Sequence, residues 1–241
     1  MTSSPTVVKP ADPDATASAG YSEEPERNPM LQAYSSITKE ELGFCIKMFV
    51  FIRMKLSHRI PAYSALLKLG QEREGAILVD IGCCFGNDVR KAVSDGFPVE
   101  NCVATDIHPA RFLAGDVFDP AHLERVPPFT FTPAAPRPHL PTLNSLNPLR
   151  GHVSAIHVSA VFHLFSEEEQ VRLAHSLAGL LSPESGSTIF GLQSGRAEKG
   201  FRIEAGVPNS HGRQIFCHSP ESWKELWEDV FPRAWFASTL T

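Results

Sequence analysis

The segment LVDIGCCFGNDVRK, residues 78–91, restricts the possible fold of this 241-residue chain more than any other segment. An apolar run ends at Asp80, and Gly82 and Gly86 follow within six residues. Glycine lets the backbone turn sharply and approach a ligand, because it has no Cβ. The segment therefore predicts a buried strand, a tight turn and a short helix over residues 87–96, whose first amides can face a small ligand.

Strand-like and helical patterns alternate along the rest of the chain. Two further helices are marked by their capping residues, Ser166 with Glu169 and Ser219 with Pro220. The predicted strands are residues 76–80, 101–107, 111–118, 152–159 and 187–193. This alternation predicts an α/β fold, a doubly wound and mostly parallel sheet with helices on both faces.

The two ends of the chain differ in composition. Residues 1–36 are rich in Ser, Pro, Ala and acidic residues, so we expect disorder there, and we expect residues 37–241 to form a single domain. Residues 38–57 predict a helix that is apolar on most of its circumference, a core helix rather than a lid. The proline-rich residues 125–150 should lack regular structure and are expected to be a disordered insertion rather than a substrate lid.

Composition excludes several classes of function. A net charge of −5 argues against nucleic acid as a partner, since nucleic-acid binding favours a basic surface. No window reaches the roughly 18 uninterrupted apolar residues of a membrane span, and the first residues lack the apolar core of a secretory signal. Five cysteines without framework spacing suit a reducing compartment, so we predict a cytoplasmic protein.

An acid further along the chain indicates what the glycine turn binds. Asp106 ends the second predicted strand, where a carboxylate can accept hydrogen bonds from both hydroxyls of a ribose. The turn lacks the G-x-G-x-x-G pattern of pyrophosphate binding, and Asp80 before it repels phosphate but suits an ammonium group. S-adenosylmethionine, with an amino acid at one end and a nucleoside at the other, fits best. A tight turn without any ligand is the alternative.

The sequence resembles the class I S-adenosylmethionine-dependent methyltransferases, and more narrowly the fungal methyltransferases of meroterpenoid and polyketide biosynthesis. The resemblance covers most of residues 76–230. It rests on the segments VDIGCCFGNDVRKAVSDG, TDI, AGDVFDP, AIHVSAVFHLFSEEEQVRLAHSLAGLLSP and FCHSPESWKELWEDV. Within the general glycine pattern of the family, Cys84 would usually be glycine.

This resemblance implies a set of cofactor-binding residues. The methionine end of S-adenosylmethionine would be held by Asp80, Gly82, Cys83 and Gly86. The ribose and adenine would be contacted by Asp106, Ile107, Asp116 and Val117, and Ser159 would face the reacting centre. No metal is expected, because adjacent Cys83 and Cys84 make poor joint ligands and are better explained as small side chains packed in a crowded turn.

His157 and His163 are the candidate catalytic residues, because they flank the end of the fourth predicted strand. A histidine there can take a proton from a substrate hydroxyl or orient a carboxylate. A histidine hydrogen-bonded only within its own loop is the alternative. If the acceptor is a carboxylate, no strong base is needed, since such a group is already ionised at neutral pH.

The sequence also departs from the family pattern. Between Asp106 and Asp116 lie only nine residues, whereas a parallel crossover takes about a dozen or more. The helix that follows the second strand in the family therefore has no room. After the last predicted helix only PRAWFASTLT remains, where the family has an antiparallel pair of strands.

These observations predict an S-adenosylmethionine-dependent methyltransferase with a small-molecule acceptor, a carboxyl or hydroxyl compound of secondary metabolism. The apparent deletions leave a catalytically impaired binding or scaffold protein as the alternative. A dehydrogenase ranks third, because the glycine spacing disfavours a dinucleotide. The oligomeric state is not predicted.

Overall fold

The computed structural model describes residues 60–84, 86–107, 112–203 and 214–231. Its main sheet has five strands: β1 (Leu78–Ile81), β2 (Cys102–Asp106), β3 (Leu113–Ala114), β4 (Ala155–Val158) and β5 (Thr188–Phe190). They lie in the order β3-β2-β1-β4-β5, and every neighbouring pair is parallel. The predicted parallel α/β sheet is therefore confirmed.

Helices lie on both faces of this sheet, as doubly wound topology requires. They are α1 (Ala62–Glu72), α2 (Asn87–Ser94), α3 (Glu167–Leu180) and α4 (Pro220–Val230). The predicted capping box of α3 is present, since the Ser166 hydroxyl accepts from the Glu169 N–H and the Glu169 carboxylate accepts from the Ser166 N–H. The cap of α4 at Ser219 and the proline in its first turn are present as well.

Alternate residues of each strand point to opposite faces and form two cores. On one face, α3 and α4 cover the odd-numbered residues of β1 together with the even-numbered residues of β4. On the other face, α1 and α2 cover Leu78, Ala104 and Ala155. All four residues of β1 are buried, as expected of a central parallel strand.

Two elements were not predicted from the sequence. The first is α1, whose buried side is formed by Tyr63, Leu66 and Gly70. The second is an antiparallel pair outside the main sheet, β6 (Gly200–Ile203) with β7 (Gln214–Cys217). This pair precedes α4 in the chain, and the ten residues after Phe231 lie outside the described residues. The same holds for the predicted disorder of residues 1–36 and the predicted helix over 38–57.

The third strand is much shorter than predicted. We expected a strand over residues 111–118, but β3 has two residues, and only Thr105 with Leu113 and Asp106 with Ala114 are paired. The link from Ile107 to Phe112 has six residues, which is short for a parallel crossover. This short link explains why β3 pairs with β2 at only two positions.

The proline-rich residues 125–150 are not a disordered insertion. They contain two single-turn 3-10 helices, Leu140–Thr142 and Asn147–Leu149, and are otherwise irregular as predicted. Leu146 and Leu149 are completely buried in the core beside α3, and the Leu146 N–H donates to the His122 carbonyl over 2.9 Å. Buried leucines anchor this stretch, which the proline count alone did not reveal.

None of the helices in the described part of the chain has the length and apolarity needed to cross a membrane.

Candidate functional site

The sheet reverses its winding direction between β1 and β4. In open parallel sheets, ligands bind beyond the carboxyl ends of the two strands at such a point. Asp80 of β1 and His157 of β4 are direct neighbours in the register there. The His157 Nδ1 lies 2.8 Å from Asp80 Oδ1, and the two residues are 1% and 2% exposed. Two of the predicted site residues are thus brought into contact.

The glycine turn after β1 has a strained backbone. Gly82 and Gly86 have φ of +66° and +68°, and Cys84 between them has φ of +51°. Only glycine adopts this left-handed region without steric cost. Cys84 therefore carries backbone strain that a glycine at this position would not have. A Cβ at Gly82 would lie 2.5 Å from Val161 Cγ2, so this glycine also lets the turn approach the chain after β4.

The amides of the turn are used within the protein. The N–H groups of Gly82 and Cys83 both donate to the Thr105 carbonyl, at 2.9 and 3.1 Å. The Cys84 N–H donates to Asp106 Oδ2 over 2.9 Å, and the Gly86 N–H donates to the Cys83 carbonyl over 2.8 Å. A pyrophosphate site needs such amides aimed at the ligand. Since these four amides are engaged within the protein, they are not aimed at a ligand phosphate.

Carboxylates surround the turn and make it electronegative. Asp88, in the first turn of α2, has an oxygen within 4.8 Å of the ligand-type atoms of Asp80 and His157. Burial, together with the nearby Asp80 and Asp106 carboxylates, raises the pKa of the Cys83 thiol well above its usual range. The protonated thiol is neither a nucleophile nor a metal ligand. An ammonium group is the kind of charge that these carboxylates favour.

The same three residues have the donor types of a metal site, but their hydrogen bonds argue against one. Both ring nitrogens of His157 are engaged, Nδ1 by Asp80 and Nε2 by the Ser159 hydroxyl at 2.8 Å. A metal ligand needs a free lone pair on one of these nitrogens. Binding a metal here would break one of two buried hydrogen bonds.

The chain after β4 forms a second strained turn. Ser159 is 3% exposed, and its hydroxyl accepts from the Leu192 N–H over 3.0 Å. Ala160 has φ of +57°, which is uncommon for a residue with a Cβ. The Gln193 side chain braces the turn: its oxygen accepts from the Val161 and Phe162 amides at 3.1 Å, and its nitrogen donates to the Val158 carbonyl at 2.8 Å.

The predicted ribose and adenine residues lie at the carboxyl ends of β2 and β3. Asp106 ends β2 and is half-buried, and Ile107 directly after it is 65% exposed. Asp116 is exposed and caps its own turn, accepting from the Phe118 N–H over 2.9 Å, and Val117 packs against the core. An exposed isoleucine next to a carboxylate is suited to cover a flat apolar ring.

His163 lies at the same end of the sheet as His157 but on a different element. It belongs to the 3-10 helix Phe162–Leu164 that follows the strained turn, and it is buried. The two candidate bases are thus both placed at the carboxyl end of β4, with His157 inside the sheet layer.

Sequence reasoning missed three residues that shape this site. Gln193 and Asp88 are described above. The third residue, His122, is buried, and its Nε2 is hydrogen-bonded to Thr105 Oγ1 at 3.1 Å. Burial lowers the pKa of its imidazole. Polar residues such as these give no periodic pattern in the sequence. Only Gln193 could have been identified in advance, because it stands at the end of a predicted strand, where ligand-binding residues are common.

Sequence comparison relates this chain to fungal enzymes. It is 29% identical over 273 residues to the O-methyltransferase phiE of a fungal species, covering 95% of this chain and 82% of phiE. It is 28% identical over 186 residues to the O-methyltransferase atr3 of Stereocaulon alpinum, covering 77% of this chain and 51% of atr3.

The chain is similar in sequence to fungal proteins named as methyltransferases. It spans about half of the length of atr3, and no family model matches it. A solved structure, an S-adenosylmethionine-dependent methyltransferase from Mesorhizobium loti, covers 70% of this chain and 79% of its own, with 13% identity and a TM-score of 0.39. That structural likeness is too weak to carry an argument.

The alignment with phiE runs over 273 positions, more than the 241 residues of this chain, so phiE carries residues that this chain lacks. A cavity of about 730 Å³ lies against α2, β2, β3 and residues 140–144. Its lining includes Phe112, which ends the short link between β2 and β3.

Proposed function

We propose that this chain is an S-adenosylmethionine-dependent methyltransferase that acts on a small molecule. The observation that carries the proposal is the glycine turn at the switch point of the sheet, whose amides face inward and whose surroundings are carboxylates. This arrangement repels phosphate and favours a cationic amino-acid end. The homology to proteins named methyltransferases supports it.

The residues present fit the cofactor in three parts. Asp80, Gly82, Cys83 and Gly86 would hold the methionine end, with Asp88 adding negative charge. The Asp106 carboxylate, which accepts a hydrogen bond from the Cys84 amide, would also accept hydrogen bonds from the ribose hydroxyls. Ile107, Asp116 and Val117 would flank the adenine.

When bound, the cofactor would supply a methyl group on a sulfonium sulfur; an acceptor oxygen can attack the methyl carbon in line, and the C–S bond breaks with S-adenosylhomocysteine as the neutral leaving group. The protein's part is to align the two reactants and exclude water, which can contribute several kcal/mol (roughly 7–11) to lowering the barrier. The turn over residues 159–161, braced by Gln193, lies at the carboxyl end of β4 and would face the reacting centre.

The two acceptor classes, carboxylate and hydroxyl, make different demands on the bases in the site. A carboxylate acceptor is already ionised and needs none. A hydroxyl acceptor needs a base, and His163 is then the better candidate, since both ring nitrogens of His157 are bound within the protein. The net charge of −5 continues to disfavour nucleic acid as a substrate. We retain a cytoplasmic location as a prediction.

A catalytically impaired binding protein is the second candidate. The two-residue β3 and the cavity beside it favour this alternative, because the sheet is incompletely covered at its β3 edge. The experiment that separates it from an enzyme is methyl transfer from radiolabelled S-adenosylmethionine to a panel of phenols and carboxylic acids. Transfer to any acceptor excludes the impaired form.

Isothermal calorimetry of the full chain with S-adenosylhomocysteine tests the proposal without knowledge of the acceptor. We expect saturable 1:1 binding and no binding of NAD, whose pyrophosphate the turn does not accommodate. Binding of NAD but not of S-adenosylhomocysteine would overturn the proposal in favour of a dehydrogenase-type protein.

A further inference from the structure

A chain of buried hydrogen bonds runs from β1 through β4 to the loop after β5. Asp80 Oδ1 lies 2.8 Å from His157 Nδ1, and His157 Nε2 lies 2.8 Å from Ser159 Oγ. Ser159 Oγ in turn accepts from the Leu192 N–H over 3.0 Å. The three side chains are each at most 3% exposed. Groups this deeply buried are retained only when each is satisfied by the next.

The last hydrogen bond in this chain has a fixed direction. Because the backbone N–H of Leu192 can only donate, Ser159 Oγ is the acceptor there. A hydroxyl can also donate its proton or accept a second hydrogen bond, so Ser159 Oγ and His157 Nε2 can pair in either direction. In both cases the contact with His157 Nδ1 holds the Asp80 carboxyl group in one orientation.

The order of aspartate, histidine and serine is that of a hydrolytic triad, but the serine is placed differently. A nucleophilic serine must reach a substrate carbonyl. Ser159 is buried, and its hydroxyl is committed on both sides. A Cβ at Gly191 would lie 2.9 Å from Ser159 Oγ, so the loop after β5 passes close against it. The Ser159 hydroxyl is thus committed to the hydrogen-bond chain and is not presented to a substrate as a nucleophile.

We propose that His157 and Ser159 are positioning residues, which hold the Asp80 carboxylate for the cofactor's ammonium group and tie it to the loop at Leu192. The inference rests on the proposed function, because it takes Asp80 to lie at the amino-acid end of the cofactor. It assigns His157 to orienting a carboxylate rather than to removing a proton from the acceptor. Leu192, two residues after the end of β5, is itself 54% exposed.

The test compares two ligands and two serines. Ser159→Ala removes the central hydroxyl, and Ser154→Ala is the matched control, because Ser154 is equally buried and its hydroxyl accepts from the Ile77 N–H at 3.3 Å, before β4 begins. S-adenosylhomocysteine carries the amino-acid end, whereas 5′-methylthioadenosine lacks it. Calorimetry gives the affinity of each variant for each ligand.

We expect Ser159→Ala to bind S-adenosylhomocysteine about twofold to tenfold more weakly, the usual effect of one buried hydrogen bond. Its affinity for 5′-methylthioadenosine should equal that of the wild type, and Ser154→Ala should bind both ligands normally. A general loss of packing would instead weaken both ligands alike in Ser159→Ala, and this would overturn the inference. Unchanged affinity for both ligands would also overturn it while leaving the proposed function standing.

A wild-type chain that binds neither ligand would overturn the proposed function and the inference together. His157→Phe provides a second variant for the same comparison. It keeps a ring in the space beside Phe190, whose centroid lies 5.3 Å from that of His157, but it removes both hydrogen bonds. Its loss of affinity should again be confined to the ligand with the amino-acid end.

Discussion

The sheet is packed more completely on the β4 side of the central strand β1 than on its β3 side. On the β4 side, Asp80 and His157 are buried in a chain of hydrogen bonds, and the strand pairs over four positions. On the β3 side, the outer strand has two residues, and a cavity of about 730 Å³ opens beside β2. The cofactor proposal places the amino-acid end of the ligand on the first side and the nucleoside on the second.

This difference indicates where the chain tolerates change. On the closed side, added volume meets packed side chains and backbone, so substitutions there should cost stability. On the open side, the same added volume has space to occupy. The comparison also predicts that the amino-acid end is held more rigidly than the nucleoside. The following predictions test this contrast, from the largest expected effect to the smallest.

Gly82→Val tests the crowding of the turn on the closed side. We expect the free energy of unfolding to fall by about 2–5 kcal/mol, because a branched residue is strained in the left-handed backbone conformation and its side chain also overlaps Val161. Gly75→Val is the matched control: its φ is +69°, but its nearest neighbour, Arg137, lies 3.5 Å away. The control should lose about 1–2 kcal/mol. Equal losses in urea denaturation would contradict the crowding at Gly82.

Asp106→Ala tests the nucleoside contact at the border between the two sides. We expect S-adenosylhomocysteine to bind about 1.5–3 kcal/mol more weakly, the usual loss for hydrogen bonds to a charged group. Asp119→Ala removes an exposed acid that caps a turn after β3 and should leave the affinity unchanged. If calorimetry shows no change for Asp106→Ala, this carboxylate does not bind the ribose.

A pair of alanines on the same face of the sheet tests the contrast directly. Ala155 is completely buried in β4, beside Leu78, whereas Ala104 in β2 lines the cavity. Ala155→Val should destabilise the protein by about 1–3 kcal/mol through overpacking. Ala104→Val should change the unfolding free energy by less than about 1 kcal/mol, because the added methyl groups enter open space. Similar effects in thermal denaturation would show that the two sides are packed alike.

Cys84→Gly should give the smallest effect, and with the opposite sign. Cys84 has φ of +51°, so glycine removes left-handed strain of about 1–2 kcal/mol but adds chain entropy of about 0.5–1 kcal/mol to the unfolded state. We expect a net stabilisation of roughly 0.5–1 kcal/mol. Cys84→Ala, which keeps a Cβ, should give none. A destabilised glycine variant would mean that the cysteine side chain makes contacts worth more than the strain.

The central parallel sheet could be predicted because its signals are local. The apolar run of β1, the capping box at Ser166 and the proline at the start of α4 each fix a structure through neighbouring residues. The packing of residues 125–150 could not be predicted in this way. Burial of Leu146 depends on contacts with distant segments, whereas the prolines around it suggested disorder.

The candidate site was predictable in its position but not in its connections. Residue type and strand ends placed Asp80, Asp106 and His157 at one edge of the sheet. That His157 faces Asp80 rather than the acceptor follows from the register of β4 against β1, which the sequence does not encode locally. Gln193 and His122 act through loop contacts, and these leave no periodic pattern in the sequence.

The most direct test of the account is a crystal structure of this chain with S-adenosylhomocysteine. The account predicts the amino group of the ligand beside the turn from Gly82 to Gly86, near Asp80, and the ribose hydroxyls on the Asp106 carboxylate. The His157 contacts to Asp80 and Ser159 should remain as they are in the free chain. A ligand bound with its amino group away from Asp80, or with its ribose away from Asp106, would contradict the central claim.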